Sequence, residues 1–322
     1  MNKYIRFLFL LTILSLLAIP LAACAGPKSE QTSGELEGNI AVSGAWALYP
    51  MMTRWAEEFQ KAYPKVQLDV SAGGAGKGMA DALAGAVEIG MVSRDITPEE
   101  EAKGAYWVAV VKDAVFPSIN ANNPVIDDLM KKGITRQQLI DIYITGNIKT
   151  WGEVVGKPEV TDKIHVYTRS DACGAAEVWA KYMDKKQEDL LGIAVFGDPG
   201  LSDAVVKDPL GIGFNNLGYA FDLKSDKPVT GMAAAPIDSN ENGQADSDEI
   251  LDSMSKAMEM VANGKYPSPP ARALNLVTLN KPTGLAKAFL QWILTDGQKF
   301  VGEAGYVQLP QDQLDAGLKK IE

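Results

Sequence analysis

The 322-residue sequence is poor in thiols and imidazoles, with two cysteines and one histidine. One cysteine, Cys24, follows an N-terminal apolar run and suits lipidation, which leaves Cys173 alone and excludes an internal disulfide in an exported chain. Basic residues are also in deficit: 31 Lys and Arg face 41 Asp and Glu, a formal charge of −10, and loss of a leader carrying Lys3 and Arg6 takes the chain to −12. A nucleic-acid partner is excluded on that balance. An anionic ligand is not, because local backbone donors and one Arg outweigh distant charge screened beyond a Debye length of ~8–10 Å. Long apolar runs are confined to Phe7–Ala23, which is marginally short for a spanning helix and is broken by Pro20. No internal repeat is present.

What the N-terminus does hold is Lys3 and Arg6, the apolar run, and Leu21-Ala22-Ala23-Cys24. This reads as a secretory signal over residues 1–23 ending in a lipobox, with the Cys24 thiol carrying the diacylglycerol. Residues 24–38, rich in Gly and Ser and free of aromatics, read as a flexible tether. The expected location is the extracytoplasmic face of the cell envelope, lipid-anchored. From Asn39 onward 284 residues remain, enough for two lobes.

That part alternates short β-rich runs (NIAVSG, VQLDVS, VEIGMVS, YWVAVVKD, VFPSINA, KIHVYT, ALNLVTLN) with helical ones, the pattern of an α/β protein with largely parallel sheets. Pro50 fits the first turn of a helix through MMTRWAEEFQKAY. Helical spacing continues in ITRQQLIDIYITG, AAEVWAKYMDKK and PTGLAKAFLQWILTDGQKFV, and another helix is expected to begin at Glu249.

Three turns lead from strands into helices at SGAWALYP, AGGAGKG and RSDACGA. Such turns expose backbone N–H groups at the positive end of a helix dipole, and Gly permits close approach by an anion. AGGAGKG lacks the Ser or Thr that should follow Lys77 in a magnesium-nucleotide loop. In RSDACGA, Arg169 with Asp171 placed to orient it forms a fork suited to two oxygens of one oxyanion. Cys173, at a helix N-terminus and near Arg169, is expected to have enhanced thiolate character. Catalysis by it needs a base, and the lone His165 lies inside KIHVYT with no path to the thiol, so an enzyme is not expected. His165 reads as a packed or hydrogen-bonded sheet residue.

In register along nearly the whole mature length, SGAWALYP with RWAEEF, AGGAGKG, EIGMVSRDITPEE, VAVVKDAVFPSINANNP, ITRQQLIDIYITGNIKTWGEV, RSDACGA, GIGFNN, YPSPPAR and GQKFVGEAGYVQLP resemble the phosphate-binding proteins of phosphate ABC importers. The resemblance implies a two-lobed type II periplasmic-binding-protein fold, each lobe a mixed, mostly parallel sheet flanked by helices. Lobe 1 would comprise residues 39–118 and 270–322, and lobe 2 residues 119–269. It implies a monomer that closes on phosphate or a related small oxyanion and presents it to membrane subunits. Carried onto this chain, the ligand residues are Trp46, Ala47, Leu48 and Tyr49, then Gly73 and Gly74, then Ser93, Arg94 and Asp95, then Arg169, Asp171, Cys173, Gly174 and Ala175. The family's turn hydroxyls are missing at Ala45 to Ala47, Gly73, Cys173 and Ala175, so Arg94, Lys77, Trp46 or water compensates, or the ligand is another anion. Trp46 supplies either an indole donor or an apolar wall.

A separate motif, DSNENGQADSDE, matches the calcium-loop pattern at every specified position. Asp238, Asn240, Asn242, Gln244, Asp246 and Glu249 would supply oxygens and Gly243 the sharp turn, for one structural Ca2+; no organic cofactor is expected. A calcium-stabilised surface or sensory protein that transports nothing is the alternative from a different class.

Overall fold

The computed structural model describes residues 36–322, so the expected leader, Cys24 and most of the tether lie outside the described residues. Two five-stranded sheets organise the chain. The first has the order Val66–Ala72, Gly38–Gly44, Ile89–Val92, Arg272–Leu279, Ala105–Asp113. The second runs Met232–Ala234, Val115–Asn120, Gly211–Asn216, His165–Arg169, Ile193–Val195. With helices packed on both, this is a two-lobed α/β protein.

Both sheets are mixed. Gly38–Gly44 pairs parallel with both its neighbours, and so does His165–Arg169. Within these two sheets the antiparallel pairings all involve Arg272–Leu279 or Val115–Asn120, the strands that carry the chain into a lobe from the other one. The outward crossing is a single residue, Ala114, between Asp113 and Val115. Residues 115–118 therefore pair in the second sheet, short of the boundary expected at 118.

Local sequence explains the elements that place the site. Pro50 opens the helix Tyr49–Ala62, whose Met51, Met52, Trp55, Ala56 and Phe59 recur on one face and are buried. Trp55 is fixed further, its indole donating to Gly297 O at 2.8 Å. That carbonyl belongs to a 3-10 segment, Asp296–Phe300, which replaces the last part of the helix expected over 282–301. The α-helix stops at Leu294 because Thr295 leaves helical dihedrals, at φ −118 and ψ −97. The helix expected from Glu249 starts instead at Met254, where the Ser253 side chain accepts from Lys256 N. The helix Gly197–Lys207, which sequence reading missed, packs on the second sheet.

Each lobe has its own aromatic core. Phe59, Phe289 and Trp292 meet in the first. In the second, Trp179 stacks on Phe214 at 5.7 Å and meets Tyr143 edge-on at 5.9 Å. A third cluster, with Phe116 against Phe221 and Tyr266, lies beside the crossings. Aromatic pairs of this kind contribute roughly 0.5–1.5 kcal/mol each beyond their area burial, which makes each lobe a rigid support. No helix among the described residues is long and apolar enough to cross a membrane.

Candidate functional site

Four helix starts meet where the lobes face each other. From the first lobe come the 3-10 turn Trp46–Leu48 leading into Tyr49–Ala62, and the helix Ala75–Leu83. From the second come Gly174–Tyr182 and Gly197–Lys207. Contacts between them are direct: Gly76 N donates to Ala172 O at 3.1 Å, and Tyr219 O–H donates to Trp46 O at 3.3 Å. Gly174 lies so close to the Ser93 carbonyl and hydroxyl that a Cβ there would collide with backbone. Gly74, with φ +93, would place a Cβ 2.7 Å from Ala172 O. Glycine is required at both positions by approach of the opposite lobe. Each helix start carries N–H groups with no intrahelical acceptor and a partial positive charge, so their convergence favours an anion.

Arg169 lies beneath these turns, its side chain fully buried. Its Nε and Nη2 donate to Asp171 Oδ1 and Oδ2 at 2.8 and 2.6 Å, and Nη1 donates to Asp198 Oδ2 at 2.6 Å. Asp171 thus fixes the guanidinium but takes its Nε/Nη2 fork for itself, which corrects the expectation that this fork holds two oxygens of an oxyanion, and it also accepts from Gly197 N at 3.1 Å. Burial opposes the charge on Arg169, but Asp198 and Asp171 more than offset this and raise its pKa.

Asp198, absent from the sequence reading, extends the network. It accepts from Asn216 Nδ2 at 2.5 Å, and the Asn216 amide oxygen in turn accepts from Arg272. Arg272 Nη1 reaches Asp113 Oδ2 at 3.3 Å, and its Nε donates to Ser93 O at 3.2 Å. One hydrogen-bonded chain therefore runs from the helix start at Cys173 to Asp113 and Arg272, where the polypeptide passes between lobes. Burial pushes the Asp113 carboxyl up to about 6, against the attraction of Arg272. The landmarks VKDAV, GIGFNN and YPSPPAR contained three of these residues, but no periodicity or motif marks them as a network. Asp198 had only the Asp-Pro pair at a helix start as its signal.

Arg94 and Asp95 sit at the rim, on partners other than Arg169. Arg94 forms two bonds with Glu100, at 2.9 and 2.6 Å, and its Nε lies 3.0 Å from Glu177 Oε2 in the opposite lobe. Asp95 pairs with Lys181, one turn further along the same helix, at 2.7 Å. Lys77 is paired with Asp81 on its own helix. Ala47 and Leu48 bury their side chains in the first lobe's core and Ala175 does so in the second, so they offer backbone groups only.

Cys173 is buried, and its sulfur accepts from Ala176 N at 3.5 Å as the helix cap. Desolvation pushes the thiol up to about 12 despite Arg169, which corrects the expectation of thiolate character. Gln187 clasps the same turn, accepting from Cys173 N at 3.2 Å and donating to Asp171 O at 2.7 Å. A cavity of about 380 Å³ opens beside it, lined by Gly76, Arg94, Cys173, Glu177, Lys181 and Gln187 among others. His165 is half-exposed and bonded through Nδ1 to Asp208 at 2.7 Å, a hydrogen-bonded strand residue.

The acidic loop folds back on itself. The carboxylate of Asp238 accepts from Asn242 N and Gly243 N at 3.1 and 2.9 Å, while Glu249 accepts from Ser239 N and Asp246 N at 2.7 and 3.1 Å. Asn240 and Asn242 donate their side-chain amides to Asp246, and Asn242 Oδ1 accepts from Gln244 N. Gly243 has φ +78, the conformation the sharp turn requires. Glu249 lies in a turn and not at a helix start. Among the described residues no group of three or more His, Cys, Asp or Glu is gathered as a metal site.

These lobes, and the cleft between them, are those of a periplasmic-type binding protein: the model of the PBP superfamily domain matches residues 29–297, and the chain belongs to that superfamily. It is 28% identical over 314 residues to the phosphate-binding protein PstS of Bacillus subtilis, covering 95% of this chain and 94% of that one. The phosphate-binding protein PstS of Methanocaldococcus jannaschii is 27% identical, with 94% and 91% coverage. In structure it is similar to a Clostridium perfringens protein solved with bound phosphate and assigned as a phosphate ABC transporter substrate-binding protein. That match has a TM-score of 0.69 at 26% identity and covers 85% of this chain and 100% of that one.

Proposed function

We propose that this protein is the receptor of a phosphate ABC importer, taking phosphate into the cleft between its lobes and presenting it to membrane subunits. The observation that carries the reading is the convergence of four helix starts, two from each lobe, over the buried Arg169. An anion there meets the positive ends of helix dipoles from both lobes, so binding favours the closed arrangement. The names of the relatives, and the phosphate held by the Clostridium perfringens protein, support the same ligand. A monomer exported and anchored through a lipid on Cys24 accords with LAAC and the tether that follows it.

Calorimetry on lipid-free protein tests the ligand: heat with phosphate is expected, and none with phosphate, sulfate, molybdate or tungstate would end the oxyanion reading. A second reading, another anion in the same cleft, is favoured by one observation. Cys173 and Ala175 stand at the helix start where hydroxyl donors would serve phosphate, and Cys173 uses its sulfur to cap the helix. Mass spectrometry of the protein as purified separates the two. For the loop 238–249 we propose a structural Ca2+, supported by the motif and by the Asp238 and Gly243 geometry; loss of its stabilising effect on chelation is the test.

A further inference from the structure

Six buried side-chain polar atoms among the described residues have no hydrogen-bond partner. Tyr143 and Trp179 belong to the core of the second lobe, Gln298 is buried in the first, and Thr168 and Asn215 lie on central strands of the second. The sixth, the indole Nε1 of Trp46, belongs to the first lobe's opening turn but has its ring against the second lobe. A Cβ built on Gly197 would lie 3.2 Å from Trp46 Cε2, the ring carbon bonded to Nε1. Gly197 itself donates to Asp171, and the next residue, Asp198, holds Arg169. The ring carbons beside Nε1 therefore lie against the turn that positions Asp171, Asp198 and, through them, Arg169.

The ring is not free to turn away. Phe196 meets it edge-on at 6.0 Å and 88°, and Tyr49 tilts against it at 6.4 Å, while Tyr219 donates to the Trp46 backbone carbonyl and holds the main chain of the turn. A donor that is buried, oriented and unpaired carries a desolvation cost that disappears once an acceptor arrives. The 3-10 turn Trp46–Leu48 and the preceding Ala45 carry no hydroxyl, so the indole is the single side-chain donor between Ala45 and Leu48.

We propose that Trp46 Nε1–H is a ligand donor, giving a charge-assisted hydrogen bond to an oxygen of the bound oxyanion and replacing the hydroxyls this turn lacks. The proposal rests on the phosphate reading above and adds the residue that reads the anion from the first lobe. Because the N–H is exclusive to the indole, Trp46→Phe keeps an aromatic ring against Phe196 and Gly197 and removes only the donor and some ring area.

The test is a 1H–15N spectrum of the wild-type protein titrated with inorganic phosphate, with the Trp46 indole signal identified among six tryptophans by its loss in Trp46→Phe. Binding is expected to shift that signal downfield. In calorimetry Trp46→Phe is expected to weaken phosphate roughly 5- to 100-fold, while its ligand-free melting temperature stays equal to wild type or rises, since an unpaired donor has gone. A residue that merely packs would give the opposite stability result and leave affinity unchanged. If phosphate gives heat with wild type but the indole signal does not move, or Trp46→Phe binds as tightly, the donor role is overturned and the phosphate reading stands. If wild type gives no heat with phosphate, the phosphate reading fails, and the donor role toward phosphate fails with it.

Discussion

Neutralising the rim of the cleft tests whether its two ion pairs hold the lobes together. Glu177 and Lys181, four residues apart on one helix of the second lobe, face Arg94 and Asp95, adjacent residues of the first. Opening the cleft separates both pairs at once. Arg94 is already immobilised by two bonds to Glu100, so little side-chain entropy is lost when it meets Glu177 at 3.0 Å. With 46% of the Glu177 side chain exposed, that pair belongs near the top of the surface range, about 1 kcal/mol. Asp95 is 80% exposed, and its pair with Lys181 adds little. The double variant Glu177→Gln, Lys181→Gln is therefore expected to shift the open–closed equilibrium roughly fivefold toward open. If phosphate binds only the closed form, affinity falls by the same factor whenever the open form dominates without ligand. Small-angle scattering reports the first quantity and calorimetry the second, each at about 0.05 and 0.5 M NaCl, where screening lengths differ several-fold. The wild type should lose more affinity with salt than the variant does. Equal affinities, with the same salt dependence in both proteins, would refute the idea that these pairs bias closure.

Other outcomes follow from the buried groups. The carboxyl of Asp113 is raised from 3.8 to about 6, so the native state holds its proton more tightly than the unfolded chain; the stability of wild type relative to Asp113→Asn should fall by about 2 kcal/mol as pH rises from 4 to 7 in chemical denaturation, and a flat difference would contradict the shift. Cys173, buried with its pKa near 12, should resist iodoacetamide in the native protein at pH 7.5 and react once guanidinium unfolds it; fast native labelling would show an accessible thiolate. Cys173→Ser supplies a hydroxyl donor at the helix start and should tighten phosphate by roughly 5- to 100-fold in calorimetry, while no gain would mean that this side chain does not face the anion. With a Ca2+ site of about 10⁻⁴ to 10⁻³ M, 10 mM CaCl2 should stabilise the protein by roughly 1.4–2.7 kcal/mol, read as a melting shift that EDTA reverses; no shift would discount the loop.

The fold was legible in the sequence because its signals are local and repeated. Strands such as YWVAVVKD and ALNLVTLN stand out by β-branched content, and Pro50 marks a helix start through a backbone requirement. The gap came at Gly197–Lys207, where GDPGLSDAVVK is short, weakly apolar and glycine-rich, so tertiary packing supplies what propensity lacks. For the site, the turn carrying Arg169 and Asp171 could be read directly because its residues are adjacent. Asp113, Asp198, Asn216 and Arg272 are far apart along the chain, and only the sheet pairing brings them together. Their burial as charged and polar groups became visible once the partners did. Cys173 illustrates the converse: its neighbours suggested a lowered pKa, but desolvation, which sequence does not report, dominates.

The contact of Gly174 with Ser93 has a mechanical consequence. Main-chain atoms meet there with no intervening Cβ, so under the proposed function closure would end against a hard stop and not a cushion of side chains. A stop made of backbone does not depend on the rotamers around it or on how fully a guest fills the space behind it. The shut state would then have one fixed spacing, and a partner docking across both lobes would meet a surface that is in register or out of it.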